Sequence, residues 1–209
     1  MVGRAKKPVA ARDQILGAAT RIIAERGFEG MTIQAVADVV GIRKPSVLHH
    51  FPSKEALRQG VIDEMLEHWS RVLPEILRQA GAGSGSTDRL DALTHELVRF
   101  FAADPDRARL LVRETLDRPR EIRRLFIARV RPWLAVLADA VREGQRAGLY
   151  HAELDAESYL VHMLQLIVVG IAAGGVFAQA RGADHEIHEL LRIARTSLLR
   201  PAVSREKRS

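Results

Sequence analysis

Apolar residues recur every three or four positions along most of the chain, and no polar–apolar alternation lasts long enough to predict a strand. The pattern predicts an all-α fold. A first helix over about 12–26 gathers Ile15, Leu16, Ala19, Ile22 and Ile23 on one face, and Gly27 supplies a left-handed stop. Thr32 predicts the N-cap of a short second helix with Ile33, Val36, Ala37 and Val40 apolar, and Gly41 ends it. A third helix begins near Lys44, where Pro45 is tolerated because first-turn amides have no intrahelical partner. Ser53 then caps a long fourth helix running to about Gln79, with Glu55 near its positive end.

The run Gly81-Ala82-Gly83-Ser84-Gly85-Ser86-Thr87 has too few side chains to pack and predicts a flexible loop. Five more helices follow, over about 88–103, 105–117, 120–147, 155–180 and 184–199. Asp104-Pro105, Arg118-Pro119, Gly148 and Gly182 supply the breaks between them, and Pro132 predicts a kink or a split within the 120–147 helix. The chain therefore divides into a head over 1–54, a helical body over 55–203 and a disordered tail over 204–209.

Composition narrows the chemistry. The 209 residues are 47% hydrophobic and 28% charged, ordinary values for a globular chain. The absence of cysteine excludes a disulfide framework, a thiolate zinc site, an iron–sulfur cluster and a cysteine nucleophile. The longest apolar run, from Leu166 to Ala178, is short of the roughly 20 residues that span a bilayer. No apolar block suited to a signal peptide follows the charged start. A soluble cytoplasmic protein without membrane, metal or cofactor is the expectation. Charge is placed unevenly: residues 1–54 hold nine basic against four acidic side chains, whereas residues 55–209 hold 23 against 22. A basic module that meets a polyanion, joined to an electrically balanced body, fits that asymmetry.

Two short helices joined by a tight turn need a small residue at their crossing, a glycine in the turn and a branched apolar residue locking the second helix. Ala37, Gly41 and Val47 stand at spacings that suit a helix-turn-helix. The third helix is then left with Arg43, Lys44, Ser46, His49 and His50 to offer to phosphates or base edges.

From about Arg12 to Leu57 the chain resembles the DNA-binding region of TetR-type bacterial transcriptional regulators. The likeness is carried by Ile15-Leu16-Gly17-Ala18-Ala19, Gly27-Phe28, Met31-Thr32-Ile33, Val36-Ala37, the run from Gly41 to Phe51, and Ser53-Lys54-Glu55-Ala56-Leu57. The resemblance implies a helix-turn-helix head followed by a helical ligand-binding and dimerisation domain. It implies that Thr32 meets a phosphate, that Lys44, Pro45 and Ser46 enter the major groove, that His49 and His50 lie near the backbone, and that Lys54 takes a further phosphate at the start of the fourth helix. Arg4, Lys6 and Lys7 would reach further along the duplex. Three departures matter. Family members place a small hydroxyl residue where Arg43 stands, and Arg43 suits a bidentate pair with guanine instead. They place tyrosines where Leu48 and His50 stand, which makes a phosphate contact from His50 pH dependent.

The predicted 155–180 helix is apolar nearly all round, so it must be covered on several sides. Gly170, Ala172, Ala173, Gly174 and Gly175 would let another backbone approach. With the amphipathic helix over 184–199 it could form half of an intermolecular four-helix bundle, as dimers of TetR-like proteins do. A homodimer implies a palindromic operator in double-stranded DNA. Met65, Trp69, Phe100, Phe101, Phe126, Trp133, Tyr159 and Met163 are candidates to line a pocket for a small hydrophobic effector. His95, Arg113, Glu114, His162 and Gln165 are polar interruptions of that set, of which Arg113 and His162 join the candidate ligand contacts. Tyr159, His162 and Gln165, three residues apart, form a polar stripe.

Enzymatic activity finds no support: the chain lacks a P-loop, a dinucleotide-binding fingerprint, a nucleophile elbow and a His-Glu-x-x-His helix. His185, Glu186, His188 and Glu189 come nearest to a metal cluster but offer no evident third partner. The reading is a ligand-responsive repressor. The alternative is a helical adaptor without specific DNA binding, which explains the body but not the charge gathered around the turn motif.

Overall fold

A computed structural model of the chain describes residues 8–79, 86–177 and 183–198. Among these, the regular elements are all helical: α1 Pro8–Gly30, α2 Ile33–Val40, α3 Lys44–His50, α4 Lys54–Gln79, α5 Ser86–Ala102, α6 Pro105–Asp117, α7 Pro119–Leu125, α8 Arg131–Arg146, α9 Ala156–Phe177 and α10 Ala183–Leu198. The basic residues Arg4, Lys6 and Lys7, the break at Gly182 and the tail over 204–209 lie outside the described residues.

Local chemistry accounts for most boundaries. The Thr32 hydroxyl accepts from the Ala35 amide at 3.0 Å, and Ser53 Oγ accepts from the Ala56 amide at 3.0 Å. Asp104 Oδ1 accepts from the Asp106 amide at 3.2 Å beside Pro105 in the first turn of α6. Gly41 adopts φ 75° and returns its N–H to Ala37 O at 2.9 Å, the left-handed turn that separates α2 from α3.

Three expectations need correction, and the split expected at Pro132 is found. The first helix starts at Pro8 rather than near 12, and Gly27 (φ 72°, ψ 171°) bends it before a last turn to Gly30. Ser86 and Thr87 belong to α5, not to the preceding loop, because serine and threonine are well tolerated where a helix begins. The helix predicted over 120–147 is divided: α7 gives way to a π-helical turn, Phe126–Val130, directly before α8. Pro132, in the first turn of α8, has no N–H and its ring crowds the carbonyl four residues back, so the backbone widens there instead of continuing as α-helix. Gly170 does not admit a neighbouring backbone; a Cβ there would stand 3.0 Å from Leu190 Cδ1, so α10 packs side chains onto it.

Three apolar clusters hold these elements. Ile15, Leu16, Ile23, Met31, Val36, Ala37, Val47, Leu57 and Val61 form the head's core, to which Leu110 of α6 is added from the body. Two further clusters fill the body, one around Leu134, Leu137, Val141 and Tyr150, the other around Phe100, Phe101, Ile167 and Val168. Helix α9 packs on α5, α6, α8 and α10. Its stretch Ala156–Gly174, with mean hydropathy 1.5, is long and apolar enough to cross a membrane, and 33% of that window is buried. Leu166 and Val169 on this helix are 37% and 54% exposed, an apolar face left open in the single chain.

Candidate nucleic-acid interface and ligand cavity

Helix α3 has Val47 as its one buried residue. Arg43, Lys44, Pro45, Ser46 and His49 are exposed, His50 is half-buried, and the two histidine rings meet edge to face at 5.6 Å. Leu48 packs against the head's core with Val40 and Ile42. Arg43 holds the N-cap position with no side-chain cap bond, so its guanidinium is not used by the fold. Neither Arg43 nor Lys44 makes an ion pair with a described residue. A helix held by one branched residue and presenting unpaired cations suits insertion into a negatively charged groove.

Lys54 is placed differently. Its Nζ donates to Glu29 O at 3.2 Å, lies 3.8 Å from the Glu29 carboxylate and sits 4.4 Å above the Phe28 ring. Arg118 of the body covers the same ring at 4.3 Å and pairs with Glu29 at 3.1 Å. Phe28 is thus a joint between head and body. A buried ion pair completes it: Arg58 of α4 donates from Nε to Glu114 Oε2 of α6 at 2.8 Å and again through a second guanidinium nitrogen, and also reaches Glu121 at 3.0 Å. The side chains of Arg58 and Glu114 are 8% and 2% exposed. Burial lowers the Arg58 pKa, but hydrogen bonding and charge from Glu114 and Glu121 outweigh it and the net shift is upward.

Behind this joint lies a cavity of about 250 Å³ between α4, α5, α6, the α7–α8 segment and α9. Met65, Trp69, Phe100, Phe101, Phe126, Trp133, Tyr159 and Met163 all line it. Arg113 and His162 do not. Arg113 donates to the carbonyls of Ala24 and Glu25 at 2.8 and 3.0 Å, satisfying the end of α1 at the bend rather than facing a ligand. His162 and Gln165 are exposed on the outer side of α9, because residues three apart drift around a helix and the stripe turns from the cavity to the surface. His95 is also exposed. Burial pushes the Tyr159 phenol up to about 12, so it stays protonated, bonded to Ser197.

Sequence reasoning passed over the aliphatic wall (Ile62, Leu66, Leu73, Leu90, Leu93, Leu97) and Arg129. Amphipathic periodicity marks such leucines as inward-facing but does not tell cavity wall from solid core. It also passed over Arg58, whose partner is 56 residues away and carries no local signal.

Beside the cavity, the His68 ring stacks on Phe100 at 4.3 Å and bonds Glu96 at 3.2 Å. Burial lowers its pKa against the opposing pull of Glu96. The folded state then holds fewer protons at His68 than the unfolded chain, so its contribution to stability is complete above the unfolded pKa of about 6.5 and is lost as pH falls through the lower folded value. We expect His68→Gln to lessen the drop in melting temperature between about pH 7.5 and pH 5, read by circular dichroism; an unchanged drop would assign the acid sensitivity elsewhere.

Comparison with known proteins gives concordant results. Residues 15–61 match the family described as bacterial regulatory proteins, tetR family, and residues 87–199 match the tetracyclin repressor-like C-terminal domain. The chain is 27% identical over 204 residues to the HTH-type transcriptional repressor AcnR of Corynebacterium efficiens, spanning 96% of this chain and 98% of that relative. Among solved structures, the ketosteroid transcriptional regulator KstR2 of Mycobacterium tuberculosis superposes with TM-score 0.71 at 18% identity over 96% of this chain and 98% of the other. The regulator FadR of Bacillus subtilis, in complex with stearoyl-CoA, gives TM-score 0.67 at 17% identity over 88% and 98%. These two likenesses establish the shared fold.

Proposed function

The chain belongs to the tetR family of bacterial regulatory proteins, and from that premise we propose that it represses transcription by binding a palindromic operator as a homodimer and is released when a small hydrophobic molecule enters the body. It is a DNA-binding transcriptional regulator; the operator symmetry, the dimer and the nature of the effector are our reading. In this reading it works in the cytoplasm, as a regulator rather than an enzyme.

One observation carries the proposal: α4 serves both ends of the mechanism. Its first turns pack into the head through Leu57 and Val61, and its next turns, with Met65, Leu66, Trp69 and Leu73, form a wall of the cavity. An occupant that displaces this wall necessarily acts on the element that carries the head. The Arg58–Glu114 pair and the Phe28 joint tie the same helix to α6 and α7, whose side chains also face the cavity. Such a molecule shifts the equilibrium only by its difference in affinity for the two arrangements. The exposed Leu166 and Val169 of α9, with Ile193 of α10, supply the apolar face that a second copy would cover. A two-fold pair places two copies of α3 about 34 Å apart, one turn of duplex. Thr32, Lys44, Pro45, Ser46, His49 and His50 are assigned to the DNA, with Arg43. Lys54 reaches a phosphate only by exchanging its Glu29 contacts. The body is assigned to residues 55–203 and the head to 1–54.

Mobility-shift titration of duplex from the protein's own promoter region, at several salt concentrations, tests this. Specific binding should fall steeply with salt, by about 0.9 in log–log slope per phosphate neutralised. Absence of binding, or equal affinity for random duplex, would leave the adaptor reading instead.

A further inference from the structure

The charges on the cavity wall point to the head group of its occupant. Of the described residues that line the cavity, one is acidic and one is basic, Glu114 and Arg129. Glu114 is already neutralised by Arg58 in a pair that is nearly sealed from solvent. Arg129 makes no side-chain hydrogen bond or ion pair with a described residue. It belongs to the π-helical turn Phe126–Val130, and it is exposed, so it reaches both the cavity and the solvent. It therefore stands at the rim of an otherwise apolar chamber as an uncompensated positive charge.

The segment that carries Arg129 is rich in like charge. Arg120, Arg123, Arg124 and Arg131, on α7 and at the start of α8, are exposed and likewise have no ion-pair partner among the described residues. The one acid in the same stretch, Glu121, is held by Arg58 and Arg118. The α7–α8 segment thus carries an excess of positive charge along its sequence.

We propose that the cavity takes an amphiphile whose alkyl or other apolar tail fills the chamber and whose anionic head, a carboxylate or a phosphate ester, pairs with Arg129. This deepens the effector reading above and rests on it. The volume sets the scale of the tail. At about 30 Å³ for a group the size of a water molecule, 250 Å³ holds on the order of eight heavy atoms. A guanidinium offers carboxylate and phosphate oxygens a planar, two-pronged donor that an alcohol or an ammonium group cannot use. The aromatic walls, Trp69, Phe100, Phe126 and Trp133, would also suit a quaternary ammonium, but the acid that would favour one, Glu114, is occupied.

The chain carries its own reporter, because both of its tryptophans line the cavity. Full-length protein and Arg129→Gln are titrated by tryptophan fluorescence with decanoate, decyl phosphate, decan-1-ol and decyltrimethylammonium, each below its micellar concentration. Comparing each ligand between wild type and variant cancels the ligand's own hydration. We expect the variant to bind decanoate or decyl phosphate about fivefold or more weakly, a modest loss because Arg129 is partly in solvent. Whichever of the two loses more identifies the head as carboxylate or phosphate. Decan-1-ol should bind both proteins alike, and decyltrimethylammonium should bind the variant no worse. If anion and alcohol respond equally to the substitution, the head-group assignment falls while the cavity reading stands. If the ammonium compound alone binds, the assignment is overturned in sign. If none of the four changes the fluorescence of the wild-type protein, the cavity reading and this proposal fall together.

Discussion

Glu114→Ala should be the most damaging single substitution in the body, lowering stability by about 3–5 kcal/mol, or roughly 6–20 °C in melting temperature for a chain of this length. The reason lies in what remains. Arg58 would keep its charge in a site where 8% of the side chain is exposed, with Glu121 at 3.0 Å as its remaining partner. Glu121 is 43% exposed and cannot replace both hydrogen bonds, so the loss sits toward the lower end. The double variant Arg58→Met/Glu114→Leu should recover most of this, since well-packed apolar replacements for a buried pair are often neutral or stabilising. Thermal unfolding at one protein concentration distinguishes the two, because any dimer would make the midpoint concentration dependent. The double variant also isolates the pair's role in regulation. It should bind operator and effector but respond to the effector more weakly, the link between α4 and α6 having become non-directional. A double variant as unstable as the single one would show that the pair is held by its surroundings rather than by its charges. Full release of DNA by effector in the double variant would move the coupling to the Phe28 joint.

How much of this was legible beforehand differs between head and body for a physical reason. In the head, the determinants are local: Thr32 caps α2 within three residues, Gly41 makes the turn, and Ala37 and Val47 meet across it, so a pattern of fixed spacings describes the geometry completely. In the body, function depends on what distant helices place together. The aromatic residues of the cavity could be named from their size and their positions on apolar faces. Arg113 could not be assigned, because whether an arginine in α6 faces a cavity or the end of α1 depends on the packing angle of two helices 89 residues apart. His162 failed for a simpler reason: a spacing of three is short of a full turn, and from Tyr159 to Gln165 it leads from cavity to surface. Arg129 was hidden by the π-helical turn itself. The wider turn changes the angular step between residues, so a helical wheel drawn through Pro132 misplaces what precedes it.

The second large effect concerns DNA. Arg43→Ala should leave the head's stability within about 0.5 kcal/mol of the parent, since Arg43 caps nothing and pairs with nothing among the described residues. Operator affinity should nevertheless collapse. A bidentate arginine–guanine contact discriminates by about 1–3 kcal/mol, and a two-fold dimer makes it twice. The loss is then about 2–6 kcal/mol, roughly 30-fold to 20,000-fold in the dissociation constant. Because this contact reads a base, random duplex should lose far less, and the salt dependence should stay nearly that of the parent. Lys44→Ala supplies the contrast if its ammonium lies on the phosphates: all sequences weaken alike and the salt slope falls by about two, one for each protomer. Fluorescence anisotropy with operator and random duplexes at three salt concentrations separates the cases. Should Arg43→Ala weaken both duplexes equally and flatten the salt slope, Arg43 lies on the backbone and the base contact belongs to Ser46 or its neighbours. Should neither substitution change binding, α3 is not the element that enters the groove, and the exposed cations of the head are a solvated surface.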